Sequence, residues 1–347
     1  MKKYTIYIYT LCVLFICGCG QSKKDYVIED KDFNGLLRLE ESKCIVKSIL
    51  NVRDFIAIDS FLVVNNARKD SVIMVINLNN LNCIKSWGIK GNGPNELGVF
   101  THLLKVDSNR FQFVDFSKNK INTYRISDFR NENEEKINFN NSKEAIREVP
   151  QNIFLKEGRE YYYDSHINNE LFLNKWINGS SPIVLRKIDK YDKRNKSIAY
   201  AGVLTIGEKS KKIIYAYRYM RRIDIMNLEG TLIKSINRKP EVALPKMGKG
   251  KFDIENSTLC YWDIRATNNS FYVYYIGHSG RDIYKNNFHV QCFIEEYDWD
   301  GNPINLYCFD RYISKFEIYQ KQDKAVTFIG NLQDDNNPLI FYSLGKR

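Results

Sequence analysis

Helical periodicity is nearly missing from this sequence. No long stretch keeps apolar residues at the three- and four-residue spacing of an amphipathic helix. No Cys-x-x-Cys pair occurs, which removes the spacing of a zinc finger or ribbon. The four histidines, His102, His166, His278 and His289, lie far apart and suggest no ligand set. No Gly-x-Ser-x-Gly elbow is present to mount a serine nucleophile. No second apolar run of about eighteen residues follows the N-terminal one, so no further membrane helix is expected. The basic residues form no long run. The glycine-rich stretch Gly91-Asn92-Gly93-Pro94 is followed by neither a Lys-Ser/Thr pair nor a helical run, so it is not a phosphate cradle.

Strand chemistry is abundant instead. The chain has 347 residues and is 44% hydrophobic, enough for a sizeable core. Its aromatic content is 14%, mostly 23 Tyr and 20 Phe, residues that favour strands. Formal net charge is +11, or roughly +9 without Lys2 and Lys3. That charge is compatible with anionic lipid, acidic polysaccharide or nucleic acid, but its scatter reads as a solvated surface. Cys44, Cys83, Cys260, Cys292 and Cys308 are too widely spaced for a disulfide framework and read as small apolar residues. Cys292 and Cys308 fall in neighbouring strand patterns, where geometry could pair them.

The N-terminus reads as an address. Met1-Lys2-Lys3 precedes an apolar run from Tyr4 to Ile16, too short to span a bilayer. Ile16-Cys17-Gly18-Cys19 resembles the lipobox of a bacterial lipoprotein. Small Gly18 before the cut favours Cys19 over Cys17 as the residue that takes a diacylglycerol. The alternative is an ordinary secretory signal. The expected organisation is a signal peptide over 1–18, a polar tether over 19–33 and one domain over 34–347.

Period-2 alternation and short apolar runs recur in units of about 50 residues, each a set of four strands. The first unit reads 55–58, 61–64, 72–78 and 83–87. The second reads 103–106, 111–114 and 121–126, with a fourth strand near Lys136 to Phe139. The third, the least regular, runs from Asn152 to Leu185 and the fourth from Val203 to Ile236. The fifth runs from Trp262 to Tyr307, and the sixth stops after three strands, ending near Tyr342. Such a repeat predicts an all-β, six-bladed β-propeller of four-stranded antiparallel blades. A propeller must close its ring or expose a raw edge. The missing strand is therefore expected from the N-terminus, within Leu36 to Leu50, where Cys44 to Ile49 has the right composition. Two β-sandwiches are the other architecture considered, and the even spacing without a linker argues against them.

Three stretches carry a family resemblance. Gly91-Asn92-Gly93-Pro94-Asn95-Glu96-Leu97 resembles the Gly-x-Gly-Pro-x-Glu-Phe motif after the first blade of the TolB-like six-bladed propeller lipoproteins of Bacteroidetes, with Leu97 in place of Phe. Ala216 to Ile225 resembles their fourth-blade signature, and Tyr297 to Pro303 their fifth-blade turn. The resemblance spans the mature chain and implies fold and compartment. It supplies no catalytic residues.

Blade topology brings the loop between strands two and three to the same face as the loop that enters the next blade. Gly91 to Leu97 and Tyr219 to Arg221 should thus share a face near the channel mouth. Candidate ligand contacts are Arg218 and Arg222 as donors to a carboxylate or sulfate, and Tyr217 and Tyr219 as stacking surfaces. Asn92, Asn95 and Glu96 are candidates in the loop. The competing reading makes the arginines salt-bridge partners between blades. Asp298-Trp299-Asp300-Gly301 reads as a β-turn with a packed Trp, being too short for a calcium loop. Channel carboxylates, Glu96 among them, would be needed for a hydrolase or lyase. The inner-strand residues Ala57, Lys105, Leu155 and Thr205 are not clearly acidic. The expected function is a non-enzymatic binding or scaffold lipoprotein, exported and lipid-anchored to the cell envelope, on the periplasmic or surface side of the outer membrane. An envelope protein or glycan is the expected partner, and neither a cofactor, a metal nor nucleic acid is expected. The alternative is a lactonase-like or polysaccharide-cleaving propeller enzyme with its site at the channel mouth.

Overall fold

The computed structural model describes residues 25–43, 52–66, 71–91, 93, 96–97, 100–115, 120–129, 150, 152–168, 170–177, 180–188, 197–243, 245, 247–248, 251–320, 326–332 and 339–344. Nearly all of the regular structure is strand. Two segments precede the first sheet, β1 (Asp25–Ile28) and β2 (Leu36–Lys43). The first sheet is β3 (Val52–Ile58), β4 (Phe61–Asn66), β5 (Ile73–Asn77) and β6 (Cys83–Trp87), in that order. The second is β7 (Phe100–Lys105), β8 (Arg110–Asp115) and β9 (Lys120–Arg125). Its expected fourth strand near Lys136 to Phe139 lies outside the described residues. The third is β10 (Ile153–Lys156), β11 (Glu160–Ile167), β12 (Glu170–Ile177) and β13 (Ile183–Lys187). The fourth is β14 (Gly202–Gly207), β15 (Lys212–Tyr217), β16 (Arg222–Asn227) and β17 (Leu232–Arg238), with β1 added in parallel outside β17.

A two-residue ribbon, β18 (Met247–Gly248) with β19 (Lys251–Phe252), leads on to β20 (Thr258–Ala266) and β21 (Ser270–Ser279). A short helix, α1 (Gly280–Lys285), separates β21 from β22 (Cys292–Asp298) and β23 (Pro303–Phe309). The last strands are β24 (Phe316–Gln320), β25 (Val326–Asn331) and β26 (Leu339–Leu344).

The last two strand sets do not remain separate. β2 runs parallel to β23 through Leu36 to Arg38 and antiparallel to β26 through Leu39 to Lys43. The result is one eight-stranded sheet in the order β20-β21-β22-β23-β2-β26-β25-β24. The expectation of six separate four-stranded blades is corrected accordingly: four blades stand beside one doubled sheet. The physical reason is that β2 is eight residues long, so its two halves satisfy two open edges at once. An N-terminal strand does close the last set, but it is Leu36–Lys43; Cys44 to Ile49 lies outside the described residues.

The innermost strands touch in a closed ring, β3 to β7, β7 to β10, β10 to β14, β14 to β20, β20 to β24 and β24 to β3. Apolar residues fill the wedges between neighbouring strand sets. Ile58, Val63 and Val75 meet Phe111 and Phe113, while Ile214 and Ile225 meet Tyr261 and Phe271. Burying one such aliphatic or Phe side chain contributes about 2–3 kcal/mol. Middle strands are covered on both faces, so every residue of Phe61–Asn66 is buried, whereas the outer Cys83–Trp87 is mostly open. That gradient explains why the sequence shows apolar runs as often as clean alternation.

Residues 25–33, expected to be tether, are held to the fourth sheet. Ile28 and Phe33 are buried. Arg238 donates to the Ile28 carbonyl at 3.2 Å and to Asp30 at 2.6 Å, and its guanidinium lies over Phe33 at 4.7 Å. The same arginine donates to Glu295 at 3.1 Å. Glu295 is fully buried and also accepts from Arg221, Tyr261 and Tyr297. This network joins β17, β20 and β22 to the N-terminal segment. Cys292 and Cys308 are both free thiols. Cys292 opposes Phe309 and Cys308 opposes Phe293, so the two thiols point to opposite faces of the sheet.

Candidate functional site

The six inner strands enclose a channel of about 1130 Å³. Its wall begins, at the end where these strands start, with Asp54, His102, Asn152, Arg218, Trp262 and Lys315. Turns between second and third strands reach this same end, because Tyr217 pairs with Gly202 at the start of β14. β7 also begins at this end, with His102 on the wall.

Asp54 and Asp263 occupy the same local position in two inner strands. Asp54 accepts from the Phe55 amide at 3.0 Å and from Leu103, on the next inner strand, at 2.7 Å. Asp263 accepts from Ile264 at 2.9 Å and from Phe316, again on the next inner strand, at 3.1 Å. Each carboxylate thereby ties one strand set to its neighbour. Each also has a cation: Lys315 lies 2.8 Å from Asp54, and Arg265 2.6 Å from Asp263 and 3.2 Å from Glu317. Burial pushes the Asp54 carboxyl up, but the charges of Lys315 and His102 and the hydrogen bonds outweigh it and hold its pKa below the ordinary value. For Glu317 burial prevails over Arg265, and its pKa is raised. Acidic groups therefore do line the channel, contrary to the inner-strand reading, but they are committed to fixed partners. Among the described residues no group of three His, Cys, Asp or Glu side chains is placed to hold one metal ion.

Arg218 differs from the arginines around it. Arg221 is paired with Glu295, Arg222 with Asp224 at 2.8 Å, and Arg238 with Glu295 and Asp30. The Arg218 guanidinium instead lies over the Trp262 ring at 4.9 Å. Its Nε is shielded from solvent and has no hydrogen-bond partner. Its backbone is fixed from both sides, since the amide donates to Ala201 at 2.8 Å and the carbonyl accepts from Cys260 at 2.6 Å. Nearby Asp164 accepts two bonds from Asn152, both 2.7 Å. Burial raises the Asp164 pKa to about 6, against those bonds and the Arg218 charge. Burial and Arg218 together lower the His166 pKa.

A family model for TolB-like 6-blade propeller-like proteins matches residues 51–321. The chain belongs to that family. Two solved structures of similar shape come from Bacteroides. The crystal structure of a DUF4221 member from Bacteroides vulgatus shares 11% identity, with 88% of this chain and 97% of that one covered at a TM-score of 0.63. A putative exported protein from Bacteroides fragilis shares 10% identity, with 90% and 100% covered at a TM-score of 0.55. At such identities the likeness is one of fold. No curated protein matched the chain.

Most residues expected at the channel from the TolB-like motifs face elsewhere. Tyr217 is buried and donates to Asp224 at 2.8 Å, and Tyr219 is buried in the core beside Leu259 and Ile313. Neither ring can stack on a ligand, because each is packed into an apolar cluster between strand sets. Arg222 bridges Asp224 and Ser235 on its own sheet. Asn92 and Asn95 lie outside the described residues. Glu96 folds inward, accepting from the Gly93 amide at 2.6 Å. Of the candidates, Arg218 alone is placed on the channel wall among the described residues. Trp262, Asp54, Asp263, Arg265 and Lys315 were missed as a set. The one available signal was the recurrence of Asp immediately before an inner-strand apolar residue, Asp54-Phe55 and Asp263-Ile264.

Proposed function

We propose that this TolB-like chain is an exported lipoprotein, anchored to the cell envelope through Cys19, whose propeller is a non-enzymatic binding module. In this reading the doubled sheet is two blades joined edge to edge by β2, giving six blades around one ring. The observation that carries the binding role is the charge arrangement of the channel. Asp54, Asp263 and Glu317 are ion-paired with Lys315 and Arg265, so each is held against a fixed partner. Arg218 lines the same cavity with its guanidinium over Trp262, and its shielded Nε has no hydrogen-bond partner. That pattern favours binding over a hydrolase or lyase. Export is supported by the relative from Bacteroides fragilis described as a putative exported protein and by the lipobox residues.

Affinity capture from detergent-solubilised envelopes of the source cells tests the role, with the full chain as bait. A retained protein or glycan, competed away by excess free chain, is the expected result. No specific retention, together with turnover of lactone or polysaccharide substrates by the same preparation, would overturn it. Metabolic labelling with a radioactive fatty acid tests the anchor: label is expected in the native chain and lost in Cys19→Ala.

A further inference from the structure

We propose that the Arg218 end of the channel binds an oxyanion carried on a polyhydroxylated body, that is, an acidic saccharide. This rests on the binding role above and names its ligand class. A guanidinium over an aromatic ring keeps its N–H edge available for in-plane, bidentate bonds to carboxylate or sulfate. Arg218 has that ring in Trp262. Among the described residues no carboxylate lies within ion-pair distance of it, whereas Arg221, Arg222, Arg238 and Arg265 each have one. Its backbone bonds to Ala201 and Cys260 fix the turn before any ligand arrives, which lowers the ordering cost of binding. Asp164 acts on Arg218 only through its charge and makes no ion pair with it, so an incoming oxyanion supplies the direct partner that the half-buried guanidinium lacks.

The rest of the cavity sets the body of the ligand. At about 1130 Å³ it is as large as a typical small-molecule pocket or larger, far more than one inorganic ion needs. Beyond Arg218 the wall offers hydroxyls and amides, Ser108, Asn268 and Asn269, which are exposed at the other end. Such groups bond sugar hydroxyls. The remaining cations at the mouth, Lys315 and Arg265, are already paired, so Arg218 is the anchor.

Isothermal titration of the detergent-solubilised full chain tests this with three probes of equal length: tetragalacturonate, a chondroitin sulfate tetrasaccharide and maltotetraose. Binding of one or both acidic probes at least tenfold tighter than the neutral probe is expected; equal or tighter binding of tetragalacturonate shows that carboxylate suffices, and a chondroitin probe that binds while tetragalacturonate does not assigns the contact to sulfate. Arg218→Gln should weaken the acidic probe at least tenfold and leave the melting temperature within a few degrees. Should that variant fold poorly, Arg218→Lys serves instead: it keeps the charge but loses the bidentate edge, and severalfold weaker binding is expected. Equal affinity for neutral and acidic probes, no affinity for either acidic probe, or affinity unchanged in both variants would overturn the assignment. In each of those cases the broader binding role still stands or falls separately, on capture from envelopes.

Discussion

Asp164 has both carboxylate oxygens held by Asn152, yet its burial still lifts its pKa to about 6. The folded carboxyl therefore keeps its proton at pH values where the unfolded one has lost it. Between roughly pH 4 and pH 6 the folded chain binds more protons, so this group's contribution to stability falls as pH rises through that window. Asp164→Asn should remove that dependence. The stability difference between native chain and variant, from urea unfolding at pH 4 to 7, should change by about 3 kcal/mol across the window. A flat difference would show that Asp164 titrates as an ordinary surface carboxyl. Asp164 was not legible as a site residue, because its environment comes from Asn152 and Arg218, 12 and 54 positions away. Arg218 was legible through its motif, but its partner Trp262 belongs to the next strand set.

The Gly91 to Leu97 loop works as a unit. Leu97 is buried in the wedge between the first two sheets, its amide donates to Ile89 at 2.8 Å, and its carbonyl accepts from Gly91 at 2.9 Å. A Cβ at Gly91 would lie 2.0 Å from the Glu96 carboxylate. Gly91 serves for room, since its φ is outside the left-handed region. Gly91→Ala should displace the Glu96 carboxylate from the Gly93 amide and cost about 1–2 kcal/mol. Glu96→Ala should cost a similar amount, and the double variant no more than either alone. Chemical denaturation of the three variants checks this, and additive losses would separate the two residues. The Asp298 to Gly301 turn behaves as read. Asp298 accepts from Asp300 and Asn302, both at 2.9 Å, Gly301 takes φ 76°, and Trp299 is buried against Phe271.

Closure is a property of the whole ring. β2 is hydrogen-bonded to β23 on one side and to β26 on the other, and Arg38 adds an ion pair to Asp310. Removing β2 would leave two unpaired edges facing each other across a gap. Deletion of residues 36–43 should give a protein that self-associates through those edges. Light scattering should then show oligomers or aggregates, where deletion of residues 25–28 leaves the size distribution of the native chain. A monodisperse 36–43 deletion would mean that the ring closes through other contacts. No helix among the described residues is long and apolar enough to cross a membrane.

The sequence by itself determined the class of the fold, because strand propensity, alternation and turn chemistry are local and recur every fifty residues or so. It also pointed to N-terminal closure, since three strands in the last repeat leave one edge open. Tertiary structure alone decided which side chains face the channel and which face the wedges. It turned Tyr217 and Tyr219 into the core while leaving Arg218, in the turn just past β15, on the wall. It also decided that one strand serves two strand sets, because β2 finds its second partner only when the ring brings β23 and β26 side by side. Pairing of Asp54 with Lys315, 261 residues apart, has the same origin: the charges meet only once the chain returns to its start.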